Sequence, residues 1–363
     1  MLHAVIMAGG SGTRFWPESR KSRPKQLLPI LGGRAMLAET VARVQPTIPI
    51  DRVWIVTNAA QVDGVRAVCP DVPDEQILIE PCARNTAACV ALAAATVAAV
   101  DPEATLAVLP ADHAIRPDAD FQRSLAAGAQ AASEPGTLVT FGIQPDHPAT
   151  GYGYIREGKP IAEIDGIPVH AVDAFTEKPS ESRAASFLKS GGYLWNAGIF
   201  VWRADSILDC FEKYQLEIHR AIRAIIDSGT DAASREATLH ELYPDLPSLP
   251  VDIAILEQHD QVRVLRAPYH WSDVGSWRAL FEELGPDSTG NVQVFPAGGA
   301  LLAEEAEGVL AYSRTKKTIA VLGIDDLVVV HTEDAILVAP RDRSEEVKRF
   351  VERLQNEGST ELL

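Results

Sequence analysis

The sequence predicts an α/β domain built on a mostly parallel sheet, followed by a small β segment and a terminal helix. Three observations carry this. Short apolar runs alternate with helical stretches through the first two-thirds of the 363 residues; runs that are apolar throughout belong to strands buried on both faces. After about Pro286 helical patterns give way to closely spaced strand-like runs. A helical period then returns at the end of the chain.

Residues 3–7 form an apolar run that ends at glycines. The runs 52–57 (RVWIVT), 105–109 (TLAVL) and 137–143 repeat the pattern, with helical stretches at 35–44, 86–100 and 120–132 between them. Parallel strands need such crossovers. The stretch 87–100 is too short to span a bilayer and reads as a buried helix. Strand-like runs then follow at 292–295, 300–303, 309–312, 318–322, 327–331 and 335–338. Ser344 is placed to cap the last helix, with Glu345 and Glu346 in its first turn. Val347, Phe350, Val351 and Leu354 give that helix one apolar face. The expected division is 1–286 and 287–363, and no internal repeat is visible.

Composition narrows the function. Hydrophobic residues at 46% and charged residues at 23% exclude a disordered or fibrous chain. A net charge of −17 repels a phosphate backbone, which argues against nucleic-acid binding. One small phosphorylated ligand stays open, because a few basic residues in a cleft invert the local field. Cys69, Cys82, Cys89 and Cys210 contain no CxxC pair and are too sparse for a disulfide scaffold. The N-terminus lacks a basic region and a long apolar core. A soluble cytoplasmic protein without a membrane partner is expected.

Chemistry begins at the turn Ala8-Gly9-Gly10-Ser11-Gly12-Thr13-Arg14. Glycines between strand and helix let backbone N–H groups approach phosphate oxygens. The turn is not a P-loop, because Arg14 stands where the second glycine is needed. It is not a dinucleotide fingerprint, because Phe15 stands at the third glycine position, which disfavours an NAD oxidoreductase. Basic residues cluster from Arg14 to Lys25 inside an acidic chain, with Pro17 and Pro24 stiffening the stretch. Asp112 follows an apolar strand run, at the carboxyl end where open α/β sheets bind ligands. Asp273 lies between tryptophans before a glycine, and two such carboxylates can converge on one Mg²⁺. Asn85 or Thr86 can cap the helix that follows them. Taken singly, these residues also fit a solvated lysine, a turn aspartate and a helix cap. His113 is assigned no role, and Trp195 and Trp202 read as packing residues.

The segment GGSGTRFWPESRKSRPKQLLPI resembles the signature of the sugar-1-phosphate nucleotidyltransferases, and its WPxSR…PKQ form is similar to that of the mannose-1-phosphate guanylyltransferases. The similarity recurs in order along the chain. It includes EPCARNTAA (80–88), LPADH (109–113), TGYGYI (150–155), FTEKP (175–179), LWNAGIF (194–200), WSDVGSW (271–277) and the tail 322–343. Ala88 departs from the family pattern, which usually has proline there.

The resemblance implies a Rossmann-like catalytic domain, with a short left-handed β-helix in the C-terminal segment that helps form a homodimer. It implies transfer of GMP from GTP to mannose 1-phosphate with Mg²⁺, giving GDP-mannose and pyrophosphate. Ala8, Gly9, Gly10, Ser11, Gly12 and Thr13 would hold the triphosphate and Arg14 its outer phosphates, with Lys25 nearer the α-phosphate. Glu80, Arg84 and Asn85 would face the base and ribose. Gly153, Glu177 and Asn196 would face the sugar, and Lys178 its phosphate. Asp112 and Asp273 would be the metal ligands. The attacking phosphate is already an anion near neutral pH, so no general base is needed. This agrees with the lack of any catalytic triad arrangement. Alternatives are the same chemistry with another nucleotide or hexose 1-phosphate, or a non-catalytic regulatory relative. About twenty residues follow Arg343, so the phosphomannose isomerase activity of longer family members is not expected.

Overall fold

The computed structural model describes residues 1–10, 12–45, 47–229 and 232–363. Strands β1 (Leu2–Met7), β2 (Val53–Asn58), β3 (Ile77–Glu80) and β4 (Thr105–Pro110) run parallel, in spatial order β3-β2-β1-β4. Helices α1 (Met36–Val44), α2 (Val62–Val68) and α3 (Asn85–Val100) occupy the crossovers. Beyond these lie β5 (Ala114–Arg116), α4 (Asp118–Ala131), β6 (Leu138–Ile143), β7 (Tyr154–Ile164), β8 (Ile167–Thr176), α5 (Glu181–Ser190) and β9 (Tyr193–Arg203). Helices α6 (Ala204–Tyr214), α7 (Leu216–Asp227) and α8 (Ala232–Leu242) come next, then β10 (Val262–Arg266), β11 (His270–Ser272) and α9 (Trp277–Leu284).

The main sheet has nine strands in the order β3-β2-β1-β4-β9-β6-β10-β8-β7. Only β8 and β9 run against the rest, so the sheet is mixed and mostly parallel, as expected. Consecutive strands leave β1 toward both sides, to β2 and to β4, which opens a crevice at their carboxyl ends. Leu37, Val65, Phe121 and Leu125 cover one face, and α3, α6 and α7 cover the other. Helix α3 is buried on nearly every side, which its alanines allow by letting strands and helices approach closely. Trp202 is fully buried against Phe200, and Trp195 is buried too, so both pack the core.

The C-terminal strands are β12 (Val292–Val294), β13 (Leu301–Glu304), β14 (Leu310–Ser313), β15 (Ile319–Leu322), β16 (Leu327–His331) and β17 (Ile336–Pro340). Val292 pairs with Leu310 and Leu310 with Val328, while Leu301 pairs with Ile319, all in parallel. Each step is 18 residues, so the segment coils with a regular repeat that the sequence does not display. The inward positions share apolar character rather than identity.

One further feature differs from expectation. Ser344 does not cap the last helix: its hydroxyl accepts from the Arg278 amide, and residues Arg341–Val347 form 3₁₀ turns. The α-helix proper, α10, spans Lys348–Glu357. Packing also crosses residue 286. Phe15, Leu28 and Trp277 share one buried cluster with Leu310, Tyr312, Val328 and Val347. The Trp16 indole donates to the Leu362 carbonyl at 2.9 Å, which ties the tail to the loop that follows the glycine turn.

Candidate active site

The glycine turn is held by its carbonyls. Gln26 Nε2 donates to the oxygens of Ala8 and Gly10, both at 2.9 Å; Gln61 Nε2 donates to Gly10 O, and Ser19 Oγ to Gly12 O at 2.7 Å. In a trans peptide the N–H points opposite the C=O. The amides of Gly9 and Thr13 therefore point away from these side chains, as an anion site requires. Gly12 has φ 58°, and a Cβ there would stand 2.7 Å from Lys25. Only glycine allows the turn to close on that lysine. Ser11 lies outside the described residues. Arg14 is exposed and makes no ion pair among the described residues. Gln26 and Gln61 escaped sequence reasoning, because nothing in their spacing marks them as the turn's scaffold.

Lys25 is buried, and its ammonium group joins the two aspartates. Nζ donates to the Asp112 carbonyl at 2.8 Å and the Asp273 carbonyl at 2.5 Å, and it pairs with Asp112 Oδ2 at 2.9 Å. Burial is the largest influence on the Asp112 carboxyl and raises it, but the Lys25 and His113 charges and the hydrogen bonds to the carboxylate together leave the group below its usual range. The Tyr152 hydroxyl donates to Asp273 Oδ1 at 2.8 Å. A Cβ at residue 275 would stand 2.7 Å from Asp273 Oδ2, so Gly275 makes room for that carboxylate. Among the described residues no third His, Cys, Asp or Glu joins a cluster here. Lys25 ties the main chains of Asp112 and Asp273 together and Asp273 lines the cavity, and hard carboxylate oxygens of this kind suit Mg²⁺, which takes its other ligands from phosphates and water. His113, given no role above, lines the same cavity; the Trp271 indole donates to its Nδ1 at 3.1 Å, and burial lowers its pKa to about 4.

Glu80, Arg84 and Asn85 frame the other side of the turn. The Tyr243 hydroxyl donates to Glu80 Oε1, and Glu80 Oε2 would lie 3.3 Å from a Cβ on Gly9. Arg84 Nε is buried without a hydrogen-bond partner. Neither Asn85 nor Thr86 caps α3 as expected. Asn85 opens it with φ 62°, and Thr86 Oγ1 accepts from the Val251 amide at 2.8 Å. Ala88 is fully buried against the core. Burial raises the Glu80 carboxyl to about 7. A carboxyl whose folded pKa is raised stabilises the fold at low pH and loses that contribution as pH climbs through 7. Scanning calorimetry of Glu80→Gln between pH 5 and 8 is therefore expected to show a flatter pH dependence of stability than the parent; parallel profiles would remove Glu80 as the cause.

The sugar-facing residues predicted from sequence do meet. Asn196 N donates to Gly153 O at 2.8 Å, and a Cβ on Gly153 would stand 2.5 Å from Glu177 Oε2. Glycine at 153 is what lets Glu177 approach Asn196. Lys178, at φ 44°, is largely exposed and pairs with Glu177 Oε1 at 3.0 Å. A cavity of about 220 Å³ runs between Met7 and Pro110, at the ends of β1 and β4, and Gly153, Glu177, Asn196 and Asp273. Asp252, which the sequence reading did not select, is in its wall.

The crossover sheet and this cleft define a nucleotidyltransferase, and the nucleotidyl transferase family model matches residues 3–287. A model described as the mannose-phosphate isomerase/GMP-like beta-helix domain matches residues 302–354. A mannose-1-phosphate guanylyltransferase from Escherichia coli is 36% identical, over 99% of this chain and 75% of its own length. The xanthan biosynthesis protein XanB of Xanthomonas campestris is 36% identical, over 98% of this chain and 74% of its own. A crystal structure from Thermus thermophilus, described as a mannose-1-phosphate geranyltransferase, superposes with a TM-score of 0.87 at 32% identity and covers 98% of this chain and 99% of its own. The chain belongs to the mannose-1-phosphate guanylyltransferase family of nucleotidyltransferases.

Proposed function

We propose that this protein transfers GMP from GTP to α-D-mannose 1-phosphate. The supporting observation is a cavity that joins the strand ends beside the glycine turn to Gly153, Glu177 and Asn196. A phosphate oxygen of the sugar attacks the α-phosphorus of GTP. The new P–O bond forms as the bond to the β-phosphate breaks, and pyrophosphate leaves with its electron pair. Backbone amides of the turn and Arg14 hold the triphosphate. Glu80, Arg84 and Asn85 face the base and ribose. Lys25 supplies positive charge where negative charge builds at the α-phosphate. Glu177 and Asn196 hold the sugar ring. Asp112 and Asp273 would hold Mg²⁺, which supplies charge neutralisation on the phosphates when bound. The test is pyrophosphate release from four nucleoside triphosphates against several hexose 1-phosphates. Fastest turnover with GTP and mannose 1-phosphate is expected; preference for another pair would replace this assignment.

Lys178 is proposed to contact the phosphate of the incoming sugar in ground and transition states alike. Loss of such uniform binding raises KM and spares kcat. Lys178→Ala is thus expected to raise the mannose 1-phosphate KM by about tenfold with little change for GTP, an effect the size of one exposed charge contact. A rise confined to the GTP KM would reassign the residue.

The proposal includes a homodimer in the cytoplasm. Leu302, Leu322, Ile324, Ile336 and Val338 project from the C-terminal strands and their turns as exposed apolar groups. Sedimentation velocity of the parent and Leu322→Glu tests the dimer; a monomeric parent at micromolar concentration rejects it. No helix among the described residues is long and apolar enough to cross a membrane, and cell fractionation tests the compartment.

A further inference from the structure

We propose that Asp252 is a sugar-hydroxyl acceptor that sets hexose selectivity, an inference that rests on the nucleotidyl-transfer reading above. Asp252 opens a single π-helical turn, Asp252–Leu256, whose later residues Ala254, Ile255 and Leu256 are buried. Such turns displace one residue out of the regular helical path, and they recur at functional sites. The turn is anchored from the nucleotide side. Val251 N donates to Thr86 Oγ1 at 2.8 Å, and Ala87 N donates to Leu249 O at 3.0 Å. The carboxylate is therefore held between the start of α3 and the sugar-facing wall.

On that wall Asn196 Nδ2 donates to Asp252 Oδ1 at 2.8 Å. The Gly198 amide donates to Asn196 Oδ1 at 3.3 Å, which fixes the amide so that its NH₂ faces Asp252. Among the described residues Asn196 is the one side chain hydrogen-bonded to Asp252, and Asp252 lines the cavity. Glu177 lies in the same wall, with Lys178 paired to it and Glu257 accepting from its amide. Two carboxyl groups facing one small cavity disfavour each other's ionised form. Burial, then the Glu177 charge, raises Asp252 to about 7. A ligand rich in hydroxyl donors relieves both groups at once. A phosphate oxygen placed there would not, so this end of the cleft suits the ring hydroxyls and the other end the phosphates. Because a buried acceptor rejects analogues that do not present a donor to it, the pair discriminates among epimers.

Asp252→Asn keeps an acceptor for Asn196 and replaces the other carboxylate oxygen with a donor. Steady-state kinetics on the hexose 1-phosphate panel are read beside titration calorimetry of each sugar phosphate. The variant is expected to bind mannose 1-phosphate about 10- to 100-fold more weakly, the loss of one charge-assisted hydrogen bond. Its GTP KM and thermal midpoint should stay close to the parent's, and its preference among epimers should shrink. Unchanged sugar affinity, or equal losses for GTP and every sugar, would overturn the assignment. If the parent prefers a different hexose, the guanylyl/mannose reading fails while Asp252 is still judged on that sugar. If the parent binds no hexose 1-phosphate, both fail.

Discussion

Lys25→Ala is expected to lower kcat by about 10²- to 10³-fold, the range seen when one preorganised donor to a developing negative charge is removed. The sugar phosphate KM should change far less, because the contact strengthens in the transition state. The structure adds a second consequence. Lys25 Nζ bridges the main chains of Asp112 and Asp273 and neutralises the Asp112 carboxylate in a buried setting. Its removal leaves two main-chain carbonyls and a half-buried carboxylate without their donor, a loss of stability smaller than that of breaking a fully buried pair. Chemical denaturation must therefore accompany the kinetics. A variant that is folded at assay temperature and still turns over normally would exclude Lys25 from the chemistry. One whose rate returns at higher Mg²⁺ would make the lysine a tether for the carboxylates and nothing more.

The parts of the site legible in the sequence are those whose chemistry needs special residues. Gly12 and Gly153 stand where a Cβ would collide with Lys25 and with Glu177, and glycine-bearing motifs marked both. The apolar runs that became β1 and β4 were legible because both faces of those strands are buried. Asp252 was not legible. It is a lone aspartate after a proline-rich stretch, and its importance depends on Thr86 and Asn196, which only the fold brings near. The 18-residue coil was hidden for a related reason: its register is set by inward apolar side chains, and Val292, Leu310 and Val328 are interchangeable there. Ser344 shows the limit of local rules. Its sequence context is a good helix start, but the Arg278 amide takes the hydroxyl. The change of pattern near 286 marked a change of secondary structure, while the packing of Trp277 on Tyr312 runs across it.

Replacing either carboxylate proposed to face the metal is expected to abolish Mg²⁺-dependent turnover, and the two variants should differ in stability. Asp273→Asn is the cleaner test. The Tyr152 hydroxyl can still donate to Oδ1, and the Lys25 bond goes to the residue 273 carbonyl, which the substitution leaves in place. What changes is one negative charge, and Mg²⁺ held by only one or two carboxylates depends on each. Asp112→Asn removes the same charge and also strips Lys25 of its counterion, so it should lower the unfolding midpoint as well as the rate. Mn²⁺ titration followed by electron paramagnetic resonance, with GTP present, reads the ion without reference to turnover. Weakened Mn²⁺ binding in both variants, with a stability loss confined to Asp112→Asn, is the expected pattern. Parent-like Mn²⁺ affinity in Asp273→Asn would remove that carboxylate from the metal site, whatever happens to the rate.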